Sequence, residues 1–573
     1  MVDKRIKRAR GRQRKQPAHL GSCNFQKHYI PWNKDLKYNK PDVFSSSTVA
    51  RVAADSLPVS RTFDFSLTEK LRPKKEEKSA FTENVVVSLD KIQTLIEIVH
   101  AHAQHCSNEK APALDSSQRK GLLVYFGLDC QKCHAMPRAM AMTNEIVSNS
   151  GTSGSKLNKQ LTLACLKTKA GIADTRLIIS SLDITPPSNS CLYKKFNATA
   201  DKVAEVNKEA MEESQKLCRK DLMDHGQTAA VDVQTDTAFN NRLQAGYEAG
   251  TQAFSGVIDE RTGLVLECAV ANKLCRKPEC QHIDCQKNHA SDKSISSAER
   301  LLAERNIKEI EDKGHVTVKS LTSDASSQLE KLVRELNAKR KSSIKHYQCL
   351  IHKMRSFQKA LKTLQFGQDP AEKGSLIGAF RRRIYWEIKW GTNKHFSIEK
   401  LYRSIANVIR CFQGQHVNCS RLSSVCRGNT KRAPRHLPGA HYVQLAPEDQ
   451  LSILGVINKY FSPGKLERVD GSKNTNRCEN VHSMVFTYAP KGTTYSRNFA
   501  GMCHSAMHSK KYGPGRSTLI LAEKLNLTEE RRTPFDTVLE KKDKKANYDA
   551  RRQQTKLFKK TRYLNMRKKL NKK

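Results

Sequence analysis

The segment AAVDVQTDTAF, residues 229–239, alternates apolar and polar side chains with a period of two, which is the pattern of a half-buried β-strand. Two further β-like segments follow it, TQAFSGVIDERTG (251–263) and LVLECAVA (264–271), and the residues RTG mark the turn between them. The pattern then predicts a helix, a fourth strand and another helix, in SSAERLLAERNIKEIEDKG (296–314), HVTVKSLTSD (315–324) and SQLEKLVRELNAKRK (327–341). This order of elements predicts an α/β fold with an RNase H-like core.

The net charge points to a class of partner. The chain has 573 residues, with 101 Lys and Arg against 57 Asp and Glu, and a net charge of +44. Such an excess favours a polyanionic partner, because basic side chains displace counterions from a phosphate backbone. Charge alone does not distinguish a DNA-binding protein from a ribosomal or chromatin-bound one.

The cellular compartment follows from what the sequence lacks. No run of 18 apolar residues occurs, and the N-terminus has no apolar stretch of the kind a secretory signal needs, so we expect an intracellular protein without a membrane partner. In that compartment the 17 cysteines are expected to be thiols and metal ligands rather than disulfides. The run KRIKRARGRQRK (4–15) has eight basic residues in twelve, and predicts either a nuclear import signal or a disordered nucleic-acid-binding arm.

Changes in composition predict six regions. Residues 1–80 are basic, then serine-rich and charged, which predicts a disordered arm. Residues 541–573 contain 15 basic and 2 acidic residues, which predicts a disordered tail that contacts phosphates. The other predicted regions are a zinc-ribbon-like and helical N-terminal region (81–225), the first part of the core (226–352), a helical insertion with a Cys/His cluster (353–465), the last part of the core (466–530) and the region that contains the basic tail (531–573).

Four acidic residues stand where an RNase H-like core would gather metal ligands. Phosphodiester chemistry commonly uses two divalent metals, and Mg²⁺ or Mn²⁺ requires oxygen ligands from separate elements. Asp232 and Asp236 share one face of the first strand, and Asp324 ends the fourth strand. Glu479 lies in NTNRCENVHSMVF (474–486), which follows a loop rich in Gly, Ser and Asn. Taken singly, each acid is better explained as a helix cap or a solvated charge, and it is their combination, in this order and on these elements, that favours a metal site.

Several short segments, in colinear order, resemble the Mutator-like transposase domain found within the wider DDE class. The resemblance covers residues from about 90 to 550. The segments are DCQKCH (129–134), LDITPPSNSCLYKKF (182–196), DTAFNNR (236–242), TGLVLECAVANKLC (262–275), SDASS (323–327), CLIHKM (349–354), HVNCSRLSSVC (416–426) and NTNRCENVHS (474–483).

The resemblance implies a catalytic set and a reaction. The first aspartate is Asp236, rather than Asp232, because Arg242 follows it at the family's distance; the other members are Asp324 and Glu479. It further implies that these three acids hold Mg²⁺ or Mn²⁺, that DNA is cut at transposon ends, and that the freed 3′-hydroxyl attacks target DNA. We also expect end recognition in the N-terminal half and a homo-oligomer.

Two departures from the family pattern leave the activity of this copy open. The family's Gly-Thr-Trp after the first aspartate is Thr237-Ala238-Phe239, and the second acid of its Gly-Asp-Gly-Asp motif is Ser326. The chain is therefore either an active transposase or a domesticated, catalytically silent DNA- or chromatin-binding protein. A third interpretation from composition is a zinc-containing basic protein associated with RNA or the ribosome.

The stretch HYQCLIHKMR (346–355) is compatible with three interpretations. Cys349 and His352 could be half of a zinc site, part of a buried core on one helical face, or a signature beside the active site. The family resemblance favours the signature. Basic residues expected to contact DNA are Arg242, Lys353, Arg355, Arg381, Arg382 and Arg383.

Three groups of cysteines and histidines are candidate zinc ligands, with free thiols as the alternative in each case. The first lies in CRKPECQHIDCQKNH (275–289) and contains Cys275, Cys280, His282, Cys285 and His289. The second lies in FQGQHVNCSRLSSVC (412–426) and contains His416, Cys419 and Cys426, with Cys411 just before the segment. The third is Cys130 and Cys133, with Cys106 and His105 as possible partners.

Overall fold

A computed structural model of the chain describes most of the sequence from residue 83 onward. The described ranges are 83–106, 112–133, 139–147, 153–168, 170–240, 250–275, 285–340, 342–365, 370–428, 437, 441–471, 473–528 and 532–570. The arm expected at 1–80 lies outside them. No helix within these ranges combines the length and the apolar character needed to cross a membrane.

Four helices and five short strands precede the central sheet. Strands β1 to β5 are Ala113–Lys120, Leu123–Asp129, Met140–Ala141, Glu145–Val147 and Ser153–Ser155. Helices α1 to α4 are Leu89–His105, Lys156–Lys167, Ile172–Ser180 and Asn189–Asp224. Strands β1, β2 and β3 form one antiparallel sheet, and β4 pairs with β5 in another.

The alternating segments form a five-stranded mixed sheet. Its strands, β6 to β10, are Ala230–Phe239, Gln252–Asp259, Val265–Asn272, Thr317–Ser323 and Lys345–Gln348. The spatial order is β10-β9-β6-β7-β8. Strands β6, β7 and β8 pair antiparallel, whereas β9 lies parallel to both β6 and β10. The four predicted strands are present. The fifth, β10, was not predicted, because four residues are too few to establish a period.

Helices connect these strands and continue to the C-terminus. Helices α5, α6 and α7 are Ala298–Asp312, Ser327–Lys339 and Leu350–Thr363. The insertion contains helices α8 to α13, which are Pro370–Asn393, Ile398–Ala406, Val408–Phe412, Cys419–Leu422, Pro447–Phe461 and Pro463–Leu466. The remaining helices, α14 to α18, are Asn476–Tyr488, Phe499–Tyr512, Pro514–Lys524, Pro534–Gln554 and Lys556–Leu570.

The central sheet is covered on both faces. Strand β7 is buried along its whole length, and its side chains alternate between two helical layers. Ala253 packs in one cluster with residues of α5, whereas Phe254 and Ile258 pack in another with residues of α4 and α15. The predicted α/β class is confirmed.

The insertion has a hydrophobic core of its own. Phe357, Phe380, Phe412 and Phe461 are fully buried in a cluster built mainly from helices α7 to α10, α12 and α13. An ion pair lies inside this region: Arg383 Nη2 is 2.8 Å from Glu387 Oε1, and both side chains are buried. Along the chain, the insertion lies between β10 and α14. It therefore separates the strands of the sheet from the helix that carries Glu479.

The C-terminal tail differs from its prediction. It was expected to be disordered, yet α17 and α18 are helical over nearly all of it. The Thr533 side chain accepts a hydrogen bond from Asp536 N, and the Asp536 carboxylate accepts one from Thr533 N, so two backbone amides at the start of the helix are satisfied. Leu539 is buried, and the Asp543 carboxylate accepts hydrogen bonds from Gly515 N at the start of α16. These contacts attach the first half of α17 to the rest of the protein.

Candidate active site and metal-binding clusters

Strand pairing brings two of the predicted acids to the same level of the sheet. Asp236 lies near the end of β6, and Asp324 directly follows β9. In the parallel β6–β9 ladder Gln234 is opposite Thr322, so two residues further along Asp236 is level with Asp324. The Asp236 carboxylate accepts a hydrogen bond of 2.9 Å from Thr237 N.

His352 joins the second aspartate to the predicted glutamate. Its Nδ1 is 2.6 Å from Asp324 Oδ1, and its Nε2 is 3.5 Å from Glu479 Oε1. A single imidazole ring therefore separates these two carboxylates, which come from β9 and α14. Arg355, one turn further along α7, places Nη1 3.5 Å from the same Glu479 oxygen.

Hydrogen bonds to the sheet hold α14 in place. The backbone N of Arg477 donates to Gln234 Oε1 at 3.1 Å, and Arg477 Nη1 donates to Asp259 O at 3.3 Å. Glu479 lies in the first turn of this helix, with its side chain partly exposed. The sequence-predicted acids Asp236, Asp324 and Glu479 are thus gathered from three elements at one end of the sheet.

Cys349 fixes the other side of His352. Its backbone N donates to Ser323 O at 2.7 Å, which ties the start of α7 to the end of β9. Thr475 Oγ1 donates to Cys349 Sγ at 3.4 Å. Ligand atoms of Asp324, Cys349 and His352 all lie within 4.8 Å of one another. Cys349 is buried while His352 is only half-buried, so the pair lies between the core and the site.

The electrostatics of the site favour added positive charge. Burial, together with the nearby negative charge of Asp324, raises the pKa of Asp236 to about 7. The hydrogen bond to Asp324, followed by the one to Cys349, raises the pKa of His352 to about 10. Burial raises the pKa of the Cys349 thiol, but hydrogen bonds with His352 and Thr475 outweigh burial and leave it below its usual value. The carboxylates thus lie where a cation relieves their mutual repulsion.

Two further residues of the site were missed by sequence reasoning. His482 Nδ1 lies 3.6 Å from Asp236 Oδ2, and its Nε2 lies 3.2 Å from Asp236 O. His482 is three residues from Glu479 on a predicted helix, and this spacing could have indicated that both side chains lie on the same face. Glu299, at the start of α5, accepts a hydrogen bond of 3.0 Å from Ser326, and its negative charge contributes to the raised pKa of Asp236. Its helical surroundings gave no signal.

A cleft of about 780 Å³ adjoins the carboxylates. Its lining includes Glu479 and His482 at one end and the cation of Lys491, 4.4 Å from the centre of the Phe486 ring. Such an opening gives solvent and a ligand access to the acids.

The basic residues expected to contact DNA occupy different environments. Arg355 lies at the site, and Arg382 is exposed on α8 beside the half-buried Arg381. The structure places the other two inside the protein: Arg383 pairs with Glu387, and Lys353 Nζ donates to Gln348 Oε1 at 2.6 Å. Because both side chains are buried and bonded to internal partners, we remove them from the DNA-contacting set. Arg242 lies outside the described residues.

The second cysteine group forms a compact cluster, hereafter the insertion cluster: Cys411, His416, Cys419 and Cys426. His416 Nδ1 is 3.6 Å from each of the three sulfur atoms. His416 Nε2 lies 3.0 Å from the hydroxyl of Tyr442. Asn407 Nδ2 donates to the sulfur of Cys419, and Arg383 donates to that of Cys411.

The third group also clusters, with one change of ligand. The N-terminal cluster consists of His102, Cys106, Cys130 and Cys133. His105, the histidine considered from the sequence, lies elsewhere on α1 with Nδ1 2.9 Å from Ala101 O. The choice of His105 from the sequence was wrong: a spacing of three residues along a helix rotates the side chain to a neighbouring part of its surface, and His102 takes the position in the cluster.

The first group is not assembled among the residues that the structure describes. Cys280 and His282 lie outside them. His289 Nε2 lies 3.2 Å from both Ser294 O and Ser297 Oγ, and Cys285 Sγ accepts a hydrogen bond from Lys287 N. In the described part of the chain, Cys275, Cys285 and His289 do not come together as a three-ligand group.

Comparison with known families gives one match. The family model described as Mutator-like transposase matches residues 83–426. These residues include Asp236, Asp324, His352 and the insertion cluster, whereas Glu479 and His482 lie beyond the matched range. No curated protein matches the chain.

Proposed function

Because this chain belongs to the Mutator-like transposase family, we propose that it is a DNA transposase of the DDE type. It would cut DNA at transposon ends and join the freed 3′-hydroxyl to target DNA. The family implies DNA binding, nuclease or transferase chemistry and use of a divalent metal. One observation carries the finer assignment: Asp324 and Glu479, from β9 and α14, pair with opposite nitrogens of the His352 ring.

The sheet supports an RNase H-like core for this enzyme. Three antiparallel strands are followed by a helix and by two strands that run parallel to the first. The first and fourth strands in chain order are central neighbours, and each carries one of the proposed catalytic aspartates near its end. Catalytic residues at the carboxyl ends of neighbouring parallel strands are typical of α/β enzymes.

The donor set fits a hard divalent cation. Asp236, Asp324 and Glu479 supply carboxylate oxygens, which Mg²⁺ and Mn²⁺ prefer, and the like charges that raise the pKa of Asp236 are those a cation neutralises. These three residues would hold the metal ions. When bound there, such ions would supply activation of the attacking oxygen and stabilisation of the leaving oxygen of a phosphodiester.

The neighbouring side chains orient this set. His352 pairs with Asp324, and Arg355 extends to Glu479, so α7 restrains two carboxylates at once. His482 contacts Asp236 from α14. Partners of metal ligands of this kind fix the direction of ligand lone pairs. The signature Cys349-x-x-His352 is accordingly a positioning element: Cys349 anchors the start of α7 and His352 contacts the acids.

Basic segments contribute sequence-independent affinity for DNA. Helices α17 and α18 carry a long series of Lys and Arg side chains, most of them exposed, which suits sequence-independent contact with phosphates. We propose that the protein acts in the nucleus as a homo-oligomer and that residues 4–15 provide its import signal.

We propose zinc for the insertion cluster. Typical Zn–S and Zn–N bond lengths in a tetrahedral site place sulfur and nitrogen ligand atoms about 3.6 Å apart. His416 Nδ1 has this separation from all three sulfurs. One ring nitrogen cannot donate to three thiols, so a shared cation explains the arrangement better than hydrogen bonding. Tyr442 orients the other ring nitrogen, and Arg383 offsets the thiolate charge.

A nicking assay tests the function. The full chain is incubated with Mg²⁺ and duplex DNA taken from the borders of its own coding region. We expect cutting by the wild type and none by Asp236→Asn. Asp232→Asn is the matched control, because Asp232 lies on the same strand but accepts a hydrogen bond from Ser320 instead of contacting the His352 or His482 side chains.

The outcomes separate three functions. Cutting by the wild type and by Asp232→Asn, with loss in Asp236→Asn at unchanged DNA affinity, supports the transposase. Tight DNA binding without cutting by any of the three proteins supports a silent DNA-binding protein instead. Preference for RNA over DNA would support the RNA-associated alternative.

A further inference from the structure

The N-terminal cluster lies where helix α1 meets the sheet β1-β2-β3. His102 and Cys106 come from consecutive turns at the end of α1, and Cys130 and Cys133 come from the turn that follows β2. One ligand atom from each of the four lies within 4.8 Å of the others. We propose that these four residues bind a structural zinc ion that attaches helix α1 to the rest of the chain.

The distances fit a soft tetrahedral site. Two thiolates bound to one zinc ion have sulfur atoms about 3.8 Å apart. Cys106 Sγ and Cys130 Sγ are separated by 3.8 Å. His102 Nε2 and Cys133 Sγ are 3.2 Å apart, a few tenths of an ångström closer than a metal-bound pair. One histidine and three cysteines, with no carboxylate, select zinc over magnesium or calcium.

Both halves of the site have the spacing that chelation requires. His102 lies in the last turn of α1 and Cys106 directly follows the helix, and their ligand atoms converge on the same point. Cys130 and Cys133 are separated by two residues in a tight turn, the spacing of one half of a zinc ribbon. Cys130 is fully buried and Cys133 is exposed, so the site lies at the boundary between sheet and solvent.

Helix α1 is only partly buried among the residues that the structure describes. Although it has 17 residues, none of them is buried, and Leu89 and Ile96 are 82% and 56% exposed. Its start is fixed by the hydrogen bond of 2.9 Å from Ser88 N to Met142 O. An isolated helix of this length is marginally stable in water. Leu95, Ile98 and Val99 are only half-buried, so metal coordination at the end of the helix adds to a partial apolar contact.

Zinc content and hydrogen exchange on the full chain test the proposal. Relative to the wild type, His102→Ala is expected to lose about one zinc ion per chain, because a ligand is removed. His105→Ala is the matched control, since His105 lies on the same helix but outside the cluster. His102→Cys restores a four-ligand set and is expected to restore the zinc content.

The rate of amide hydrogen exchange in α1 then shows whether zinc attaches this helix to the rest of the chain. In His102→Ala, amides of α1 should exchange at least about tenfold faster than in the wild type, whereas amides of the buried helix α4 should be unchanged, which also shows that the variant is folded. His416→Ala should lower the zinc content without affecting α1. Unchanged zinc in His102→Ala, equal loss in His105→Ala, or unchanged α1 exchange after zinc loss would each overturn the proposal. None of these results depends on DNA cutting.

Discussion

Asp324 and Glu479 face each other across one imidazole, with His352 Nδ1 2.6 Å from the first carboxylate and Nε2 3.5 Å from the second. The two acids belong to parts of the chain that the helical insertion separates. Removal of the ring should therefore loosen both acids without removing either.

We expect His352→Ala to lower the rate of DNA cutting by about 10- to 100-fold, the usual cost of losing a group that orients metal ligands. Half-maximal cutting should also require more Mg²⁺, while DNA affinity stays unchanged. The measurement is a nicking assay over a range of Mg²⁺ concentrations. His441→Ala is the control, because His441 is exposed and outside the site. A normal Mg²⁺ dependence in His352→Ala would contradict the positioning role.

The buried ion pair of the insertion should matter far more than an exposed pair of the same type. Glu387 is fully buried and accepts hydrogen bonds from Arg383, Ser404 and Ser424. We expect Glu387→Ala to lower the free energy of unfolding by about 3–5 kcal/mol, because it leaves the buried Arg383 charge without its carboxylate partner.

The comparison for this pair is Glu399→Ala. Glu399 and Arg403 form an exposed pair with the same four-residue spacing. Loss of this pair should lower the free energy of unfolding by less than about 0.5 kcal/mol. Urea denaturation of both variants measures the difference, and equal losses would show that burial does not set the strength of the Glu387 contacts.

Two helical glycines should respond in opposite directions to alanine. A Cβ atom added to Gly501 in α15 would lie 2.5 Å from the Cβ of Ala200 in α4, so Gly501→Ala should destabilise the protein by about 1–3 kcal/mol. Gly455 in α12 has nothing within 4 Å of an added Cβ, and Gly455→Ala should stabilise it by up to about 1 kcal/mol. Thermal denaturation checks both signs.

Stability should fall as the solution is acidified through the titration of buried His504. Burial, with smaller contributions from Lys208 and Arg305, lowers its pKa to about 4 from a usual value of about 6.5. The unfolded chain thus binds the proton more readily, so the stability that this group contributes is present above about pH 6.5 and is lost as the pH falls towards 4.

The size of this effect is on the order of 3 kcal/mol over the whole window. Urea midpoints at several pH values should decline less steeply for His504→Gln than for the wild type. Parallel declines in the two proteins would mean that His504 does not carry the dependence.

The sequence predicted most of the sheet because its strands are long enough to show a period. β6, β7, β8 and β9 all have seven or more residues, whereas β10 has four. The three acids were recognisable because each lies in a motif whose order along the chain matches the family. His482 and Glu299 are placed by packing of α14 and α5 on the sheet, which no local pattern encodes.

The ligands of the metal clusters were predicted unevenly for a similar reason. In the insertion cluster, His416, Cys419 and Cys426 could be grouped from the sequence because they lie within eleven consecutive residues. In the N-terminal cluster the choice of His102 over His105 depends on how α1 is rotated against the turn after β2. The burial of Arg383 and Lys353 could not be predicted either, because the sequence of a basic segment does not show which of its residues face the protein interior.

The packing of α4 against α15 has a consequence for folding during translation. Asn207 Nδ2 lies 3.0 Å from His504 Nδ1, across 297 positions of sequence. Synthesis proceeds from the N-terminus, so α4 leaves the ribosome long before the helix that covers Val203 and Val206 has been translated. A message that ends before α15 therefore yields a chain in which part of the apolar surface of α4 lacks its cover, which favours aggregation over a shortened protein that competes with the intact one.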